Sequence, residues 1–485
     1  MKTRQFWLPS TSVLLWLIVF LVLTLSDWRL VMISADGDPS LHWRIGDWML
    51  EHRQILRSEQ FSHTRWAAPV ISKEWLSEIM FAAAGKAAGW NGIVLLSAFL
   101  IATTVWLLHR QLLAQGTEVL LATALVLLAA FACSAHWLAR PHLVTHVLTV
   151  IFAWQLRSLE AGEVSGRRLV FTLAPLMLLW TNLHGAFFVG FVIMAIYALG
   201  GRRRAMVAGV LTACVAVSLA NPNGWQLHMQ VVKFLRTPEL AGLVNEFRSP
   251  NFHNDGMRGF VLLLLAVAGL LLVVRPRLAR TEWLMLGVWG YFALHSARNV
   301  PIFALVATPI LAAHWQPFLQ SDRYRKIAAR VAKLHEDADG RIWAVLAVVT
   351  LCVLMILPRA GMQPVVSTEI LTNRFPVAAV AWVRANPDVV AGEMFNDYAW
   401  GGYLMLELPE RRVFVDGRND FYGKELIDEF NTVDDVKPGW DSVFDKYRVG
   451  WTILPPNHGL NALLALQPDW RRVYVDDVAV IYGRR

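Results

Sequence analysis

Cysteine is nearly absent: Cys133, Cys214 and Cys352 are three in 485 residues, far apart and in or beside apolar runs. With no paired metal-ligand spacing among them, they read as small core residues. Charge is scarce too, at 17% against 56% hydrophobic residues, and the mean hydropathy is +0.42. That is more apolar surface than one soluble core can bury, so the composition is that of a polytopic membrane protein. Acidic residues are fewer than basic ones, 37 against 45, for a net charge of +8. The arginines cluster in short loops between apolar runs, which argues for membrane orientation and against nucleic acid as a partner. Tyrosine is sparse, 9 against 22 tryptophans, as expected where indole rings sit at the headgroup level. No nucleophile elbow, P-loop, dinucleotide fingerprint, internal repeat or low-complexity run is present.

Apolar runs able to cross a bilayer lie near residues 11–26, 91–108, 119–134, 143–156, 169–182, 186–200, 205–219, 259–274, 283–295, 300–315 and 342–358, about eleven spans in all. The first is read as a retained helix, although Ile33-Ser34-Ala35 has the look of a signal-peptidase site. One set of loops carries Lys2 and Arg4, Arg110, Arg157, Arg167, Arg168, Arg202 to Arg204, Arg275, Arg277, Arg280 and the basic stretch from Arg323 to Arg341, and is expected to be cytoplasmic. The opposite loops hold Asp36 to Lys73, Ala135 to His142, Asn182 to Gly185, Asn221 to Met257 and His295 to Asn299. An odd number of spans places the carboxyl-terminal region outside. The expected division is a transmembrane module over 1–360, with interfacial helices in a first outer loop at 28–90, a linker at 361–375, and an α/β domain over 376–485. In that domain Pro376 opens a helix, and Glu393-Met394-Phe395, Val413-Phe414-Val415, Trp451 to Leu454, Val473-Tyr474-Val475 and Val478 to Tyr482 read as strands.

Asp36-Gly37-Asp38 follows the first span directly. Carboxylates at a bilayer surface are costly unless they hold a cation, a proton or a polar substrate. Asp38 precedes Pro39 and is expected to cap a helix whose Leu41, Ile45, Trp48 and Met49 share one face, an amphipathic helix lying on the membrane. A second interfacial helix is expected from Ser72, with Lys73 and Glu74 at its head as substrate-binding candidates. Arg140 and Arg298, at span ends in separate loops, have the planar fork that grips phosphate, against which stands simple snorkelling. His142 and His146 are four apart on one helix face. His184 interrupts an apolar stretch, and His295 and Asn299 flank Arg298. In the last domain Asp416 and Arg418 follow an expected strand, as a ligand site or as a buried structural pair.

An acidic residue soon after the first span, a long first outer loop, many spans and an outer carboxyl-terminal domain resemble the GT-C superfamily of integral-membrane glycosyltransferases. The strings Trp43-Arg44-Ile45-Gly46-Asp47-Trp48, Glu74-Trp75-Leu76-Ser77-Glu78 and Asp397-Tyr398-Ala399-Trp400-Gly401-Gly402-Tyr403 with Asp416-Gly417-Arg418 also look like a bacterial group of GT-C-like membrane proteins. The resemblance implies a catalytic carboxylate in the first outer loop, Asp36 with Asp38 second, and a polyprenyl-phosphate sugar as donor. It implies a lipid, glycan or protein acceptor, membrane lipids around the chain, and a bacterial inner membrane with the amino terminus cytoplasmic and the last domain periplasmic. Metal dependence stays open, a divalent cation being one option, and Asp36-Gly37-Asp38 is not taken as the Asp-x-Asp of soluble nucleotide-sugar enzymes. Asp36 is then the base for an acceptor hydroxyl, and Arg140 and Arg298 stabilise the departing phosphate. Competing readings are a flippase or transporter for a lipid-linked glycan, and a non-enzymatic scaffold of envelope polysaccharide assembly. A transporter should line the midplane with polar groups, whereas here they gather at one lip.

Overall fold

The computed structural model describes residues 8–236, 245–318, 322–337, 342–356 and 366–485. Lys2, Arg4, Arg341, Pro358 and the first part of the expected linker lie outside the described residues. The chain divides into two bodies. The first takes 1–28, 94–224 and 245–367, and the second 29–93, 225–244 and 368–485.

The first body is helical. Its apolar helices begin where a side chain can satisfy the orphan backbone donors of a helix start. Ser10 caps Thr11–Leu25, Glu118 accepts from Leu120 and Leu121 at the head of Val119–Cys133, and Ser165 caps Gly166–Leu183. Small residues let these helices approach closely, as membrane packing requires. A Cβ on Gly259 would fall 2.5 Å from the backbone of Phe131, so the helix Arg258–Gly269 meets Val119–Cys133 there without side chains between. Among the described residues, Trp75–Ala114, Val119–His136, Asp255–Val274 and Ala297–Trp315 are long and apolar enough to cross a membrane, and Thr11–Leu25 with Trp28–Ser34 adds another if that bent pair is one span. Gly185–Gly200, Arg204–Ser218 and Val345–Ile356 are shorter apolar helices. The protein is therefore a helical membrane chain with a small carboxyl-terminal sheet.

That sheet belongs to the second body. Its strands are β1 Glu393–Asn396, β2 Val449–Leu454, β3 Trp470–Val475 and β4 Val480–Arg484, in the order β1-β2-β4-β3. β1 and β2 run parallel; β4 is antiparallel to both β2 and β3. The run Val413-Phe414-Val415, expected as a strand, does not join this sheet. It makes an isolated parallel bridge between Val413 and Ser62, and the Asn396 side chain accepts from the Phe414 N–H and donates to the Val415 carbonyl. A β-prone, fully buried segment has been satisfied by a loop and one amide side chain, not by a ladder.

The helix Asp38–His52 also differs from expectation. Its stripe of Leu41, Ile45 and Met49, none more than 3% exposed, packs into one core with Phe375, Val380, Tyr403, Leu404, Trp451 and Ile453. The face read as lipid-directed is covered by the chain after residue 368, because an amphipathic stripe is buried equally well by protein or by lipid. The helix expected from Ser72 starts at Trp75 and ends at a break at Ala88 and Gly89, beyond which a further helix runs to Ala114. Ile370 and Phe375, expected in a linker, are core residues, and Pro376 stands just before Val377–Ala385 with no side-chain cap.

Candidate functional site

In the second body, three of the strings singled out from sequence meet. Gly37 and Gly402 touch through their backbones: a Cβ on Gly37 would lie 2.5 Å from the Ala399 carbonyl oxygen, and one on Gly402 2.3 Å from that of Gly37. Only glycine allows this approach. Asp36 turns the chain by accepting from the Asp38 N–H at 3.0 Å, an Asx turn. Asp38 does not cap the helix. Gly37 holds the cap position, and Asp38 lies in the first turn, where its charge complements the helix dipole. Its carboxylate faces Gly417, on which a Cβ would fall 2.4 Å from Asp38 Oδ1. Both aspartates are half-buried.

Behind Gly417 is a buried ion network. The Arg418 guanidinium donates to Asp416 at 2.6 and 2.8 Å and to Glu59 at 2.8 and 3.1 Å. Glu59 also accepts from the Phe61 and Ser62 N–H groups, and the Tyr422 hydroxyl donates to Asp416 at 2.6 Å. Glu59 and Asp416 are fully buried. Burial alone would lower the Arg418 pKa, but Asp416 and Glu59 outweigh it and hold the guanidinium ionised. Four of the five guanidinium N–H groups are taken up by these two carboxylates, an arrangement that suits a structural brace. Glu59 was not singled out from sequence; it sits in a polar loop with no periodic signal.

Lys73 pairs with Asp420 at 2.7 Å, and the Gln230 amide donates to the same carboxylate oxygen at 3.1 Å. Glu74 lies 3.8 Å from His42, whose other ring nitrogen is 3.7 Å from Glu78. All three are buried. Burial opposes charge on His42, yet the nearby carboxylates of Glu78, Glu74 and Asp38 prevail, and its pKa is raised.

The first body gathers the second group of candidates. Arg140 precedes the helix His142–Ala161, His184 follows Gly166–Leu183, and Arg298 lies in the turn Ala297–Asn299 between Arg280–His295 and Val300–Trp315. Antiparallel helices bring these turns to one end. There Arg140 Nη1 donates to Glu246 Oε1 at 2.7 Å, and Arg298 Nη1 stands 4.0 Å from Glu246 Oε2. Arg298 Nη2 is 3.4 Å from His184 Nε2, and His184 Nδ1 is 2.8 Å from the Thr145 hydroxyl, which accepts from the Trp180 indole. The Arg298 guanidinium lies over the Phe247 ring. Burial would raise the Glu246 pKa, but Arg140, Arg298 and His136 pull it below the usual carboxylate range.

Other candidates do different work. His142 bonds the His136 carbonyl at 2.7 Å, and its ring is 5.3 Å from that of His146. Among the described residues no three His, Cys, Asp or Glu side chains are arranged to hold a metal ion. His295 is exposed and stacks on Tyr291, and the Asn299 amide donates to the Phe292 carbonyl. Glu246 and Thr145 escaped sequence reasoning, since neither carries a motif.

No protein-family model matches the chain, and no curated protein sequence matches it. Solved structures do. Archaeal oligosaccharyltransferase AglB from Archaeoglobus fulgidus, in complex with an inhibitory peptide and a dolichol-phosphate, matches with a TM-score of 0.62 at 11% identity, over 92% of this chain and 69% of that one. The apo form of the Archaeoglobus fulgidus oligosaccharyltransferase matches at 0.55 and 10% identity, over 91% and 69%. The likeness is one of fold. ArnT from Cupriavidus metallidurans bound to undecaprenyl phosphate aligns with a TM-score of 0.49 at 15% identity, over 97% of both chains. The two bodies carry the two groups of candidate residues separately, Asp36 and Asp38 in the second and Arg140, His184 and Arg298 in the first.

Proposed function

We propose that this protein is an inverting membrane glycosyltransferase that moves a sugar from a polyprenyl-phosphate donor to a lipid, glycan or protein acceptor. The observation that carries this reading is the meeting of Arg140 and Arg298, from turns far apart in sequence, on the single carboxylate of Glu246. Two guanidinium forks at one end of an apolar helical body suit a phosphate group. Support comes from the fold, since the AglB structure with this likeness holds a dolichol-phosphate and a peptide.

In the proposed reaction the acceptor oxygen attacks the anomeric carbon and the bond from that carbon to the phosphate oxygen breaks. The electron pair leaves with the phosphate, whose charge the arginines stabilise, and the acceptor proton passes to Asp36. Asp38 is assigned a supporting role beside it, and Lys73 and Glu74 are assigned to substrate binding. The reading places the amino terminus in the cytoplasm of a bacterial cell, some eleven spans in the inner membrane, and the residues after 376 in the periplasm.

The test is Asp36→Asn in a reconstituted assay with a polyprenyl-phosphate sugar. Loss of a general base should cost about 10²–10⁴-fold in rate, with folding and membrane abundance unchanged. Equal turnover by wild type and variant would remove Asp36 from the chemistry.

A further inference from the structure

We infer that the helix Asp322–Asp337 is a docking surface for anionic phospholipid, lying across one membrane face of the helical body and offering Lys326, Arg330 and Lys333 to the lipid phosphates. This is independent of the catalytic reading above.

Two anchors fix the helix. Near its start the Tyr324 hydroxyl donates to Glu118 Oε2 at 2.5 Å, and the same carboxylate takes the Leu120 and Leu121 N–H groups at the head of Val119–Cys133. Near its end His335 Nδ1 stands 3.2 Å from the Thr11 hydroxyl and accepts from the Thr11 N–H at 3.4 Å, at the head of Thr11–Leu25. At a rise of about 1.5 Å per residue the two anchors are about 16 Å apart along the helix, roughly half the ~30 Å of a hydrocarbon core. Both heads therefore lie at the same membrane face, and the helix runs across that face at headgroup depth.

Spacing sorts its sides. Tyr324, Ala328, Val331 and His335 fall on one stripe, and Ala328, 6% exposed, is buried against the protein. Lys326, Arg330 and Lys333 form a second stripe, and all three are exposed. Ile327, 44% exposed, lies between the stripes and beside Arg330. From residue 325 to residue 334 the sequence holds four basic residues and no acidic one.

Charge complementarity and depth together choose the occupant. A helix in the interface dips an apolar flank into the acyl boundary while the cations next to it meet lipid phosphates, and each Lys or Arg at an anionic membrane surface is worth about fivefold in association. An acidic soluble partner would suit the three cations, but it leaves Ile327 unexplained at a depth where acyl chains are its neighbours.

The test is a lipid titration of the full-length protein in detergent, read by native mass spectrometry with phosphatidylglycerol and phosphatidylcholine as the two probes. Wild type should bind phosphatidylglycerol at least about fivefold more tightly, the scale of one such cation. The combined variant Lys326→Gln, Arg330→Gln, Lys333→Gln should bring the ratio close to one, because it removes three charges from exposed positions. A control with the same loss of charge, Arg167→Gln, Arg168→Gln, Arg202→Gln, also at exposed positions, should keep the wild-type ratio. Equal binding of the two lipids by wild type overturns the proposal without any variant, so a folding defect in the helix variant does not shield it. A preference that survives in the helix variant, or that the control loses equally, overturns the assignment to this helix. Heparin binding to wild type with no preference for phosphatidylglycerol would make the helix a face for a soluble polyanion and overturn the lipid assignment.

Discussion

Replacing Arg418 by methionine isolates what the ion network does. Methionine keeps most of the side-chain volume but leaves Glu59 and Asp416, both fully buried, without their counter-charge. Removing one partner of a buried ion pair costs about 3–5 kcal/mol, because the stranded charge stays desolvated. The Phe61 and Ser62 N–H groups still serve Glu59, and Tyr422 still serves Asp416, which sets the expectation at the lower end, about 3 kcal/mol. For a unit of this size that is roughly 6–12 °C in Tm. The stranded carboxyls should have folded-state pKa values raised above their unfolded ones. A raised carboxyl contributes stability that is present at low pH and lost as pH rises through the folded value. The gap between Arg418→Met and wild type should therefore narrow as pH falls from 7 towards 5. Thermal unfolding of the detergent-solubilised protein, followed by tryptophan fluorescence at several pH values, measures it. An unchanged Tm together with loss of donor binding would refute the structural assignment and return Arg418 to the substrate-binding residues.

Three further outcomes are expected. Arg140→Lys and Arg298→Lys keep the charge but lose the planar fork, so donor turnover should fall and alanine should lower it further; full activity in both lysine variants would leave only snorkelling. Gly417→Ala drives a Cβ to within 2.4 Å of Asp38 Oδ1, so turnover should fall by more than any loss in thermal stability explains, and normal kinetics would show that the position of Asp38 is immaterial. An impermeant thiol reagent on intact cells should label a cysteine introduced at Gly423 and spare one at Arg203; the reverse pattern inverts the proposed orientation.

What the sequence made legible follows from where its signal lies. Arg140, His184 and Arg298 stood out because polar groups at the end of an apolar run are expensive and must be placed for a reason. Glu246 did not, although it joins the two arginines: it lies 106 residues from Arg140, in a loop whose polarity is ordinary. The same holds for Glu59, which reaches Arg418 across 359 positions, a pairing that no local period encodes. The helix Asp38–His52 was legible as a helix with one apolar face, since 3.6-residue spacing is a property of the chain itself. What covers that face was not, because Leu41, Ile45 and Met49 carry the same pattern whether lipid or Trp451 and Phe375 bury them. Val413-Phe414-Val415 failed for the converse reason. Its β-branched, apolar composition records burial, and burial was achieved by the side chain of Asn396 and the loop at Ser62 in place of a neighbouring strand. Sequence pattern in this protein therefore reports the environment of each residue, and the identity of the partner enters only through contacts that the fold closes. Asp38 shows how small that margin is. Aspartate before proline predicted a cap, and the glycine one position earlier took the cap instead, leaving the Asp38 carboxylate against Gly417. A glycine that permits backbone contact at Ala399 and Gly402 has in this way decided which groups a neighbouring carboxylate can reach.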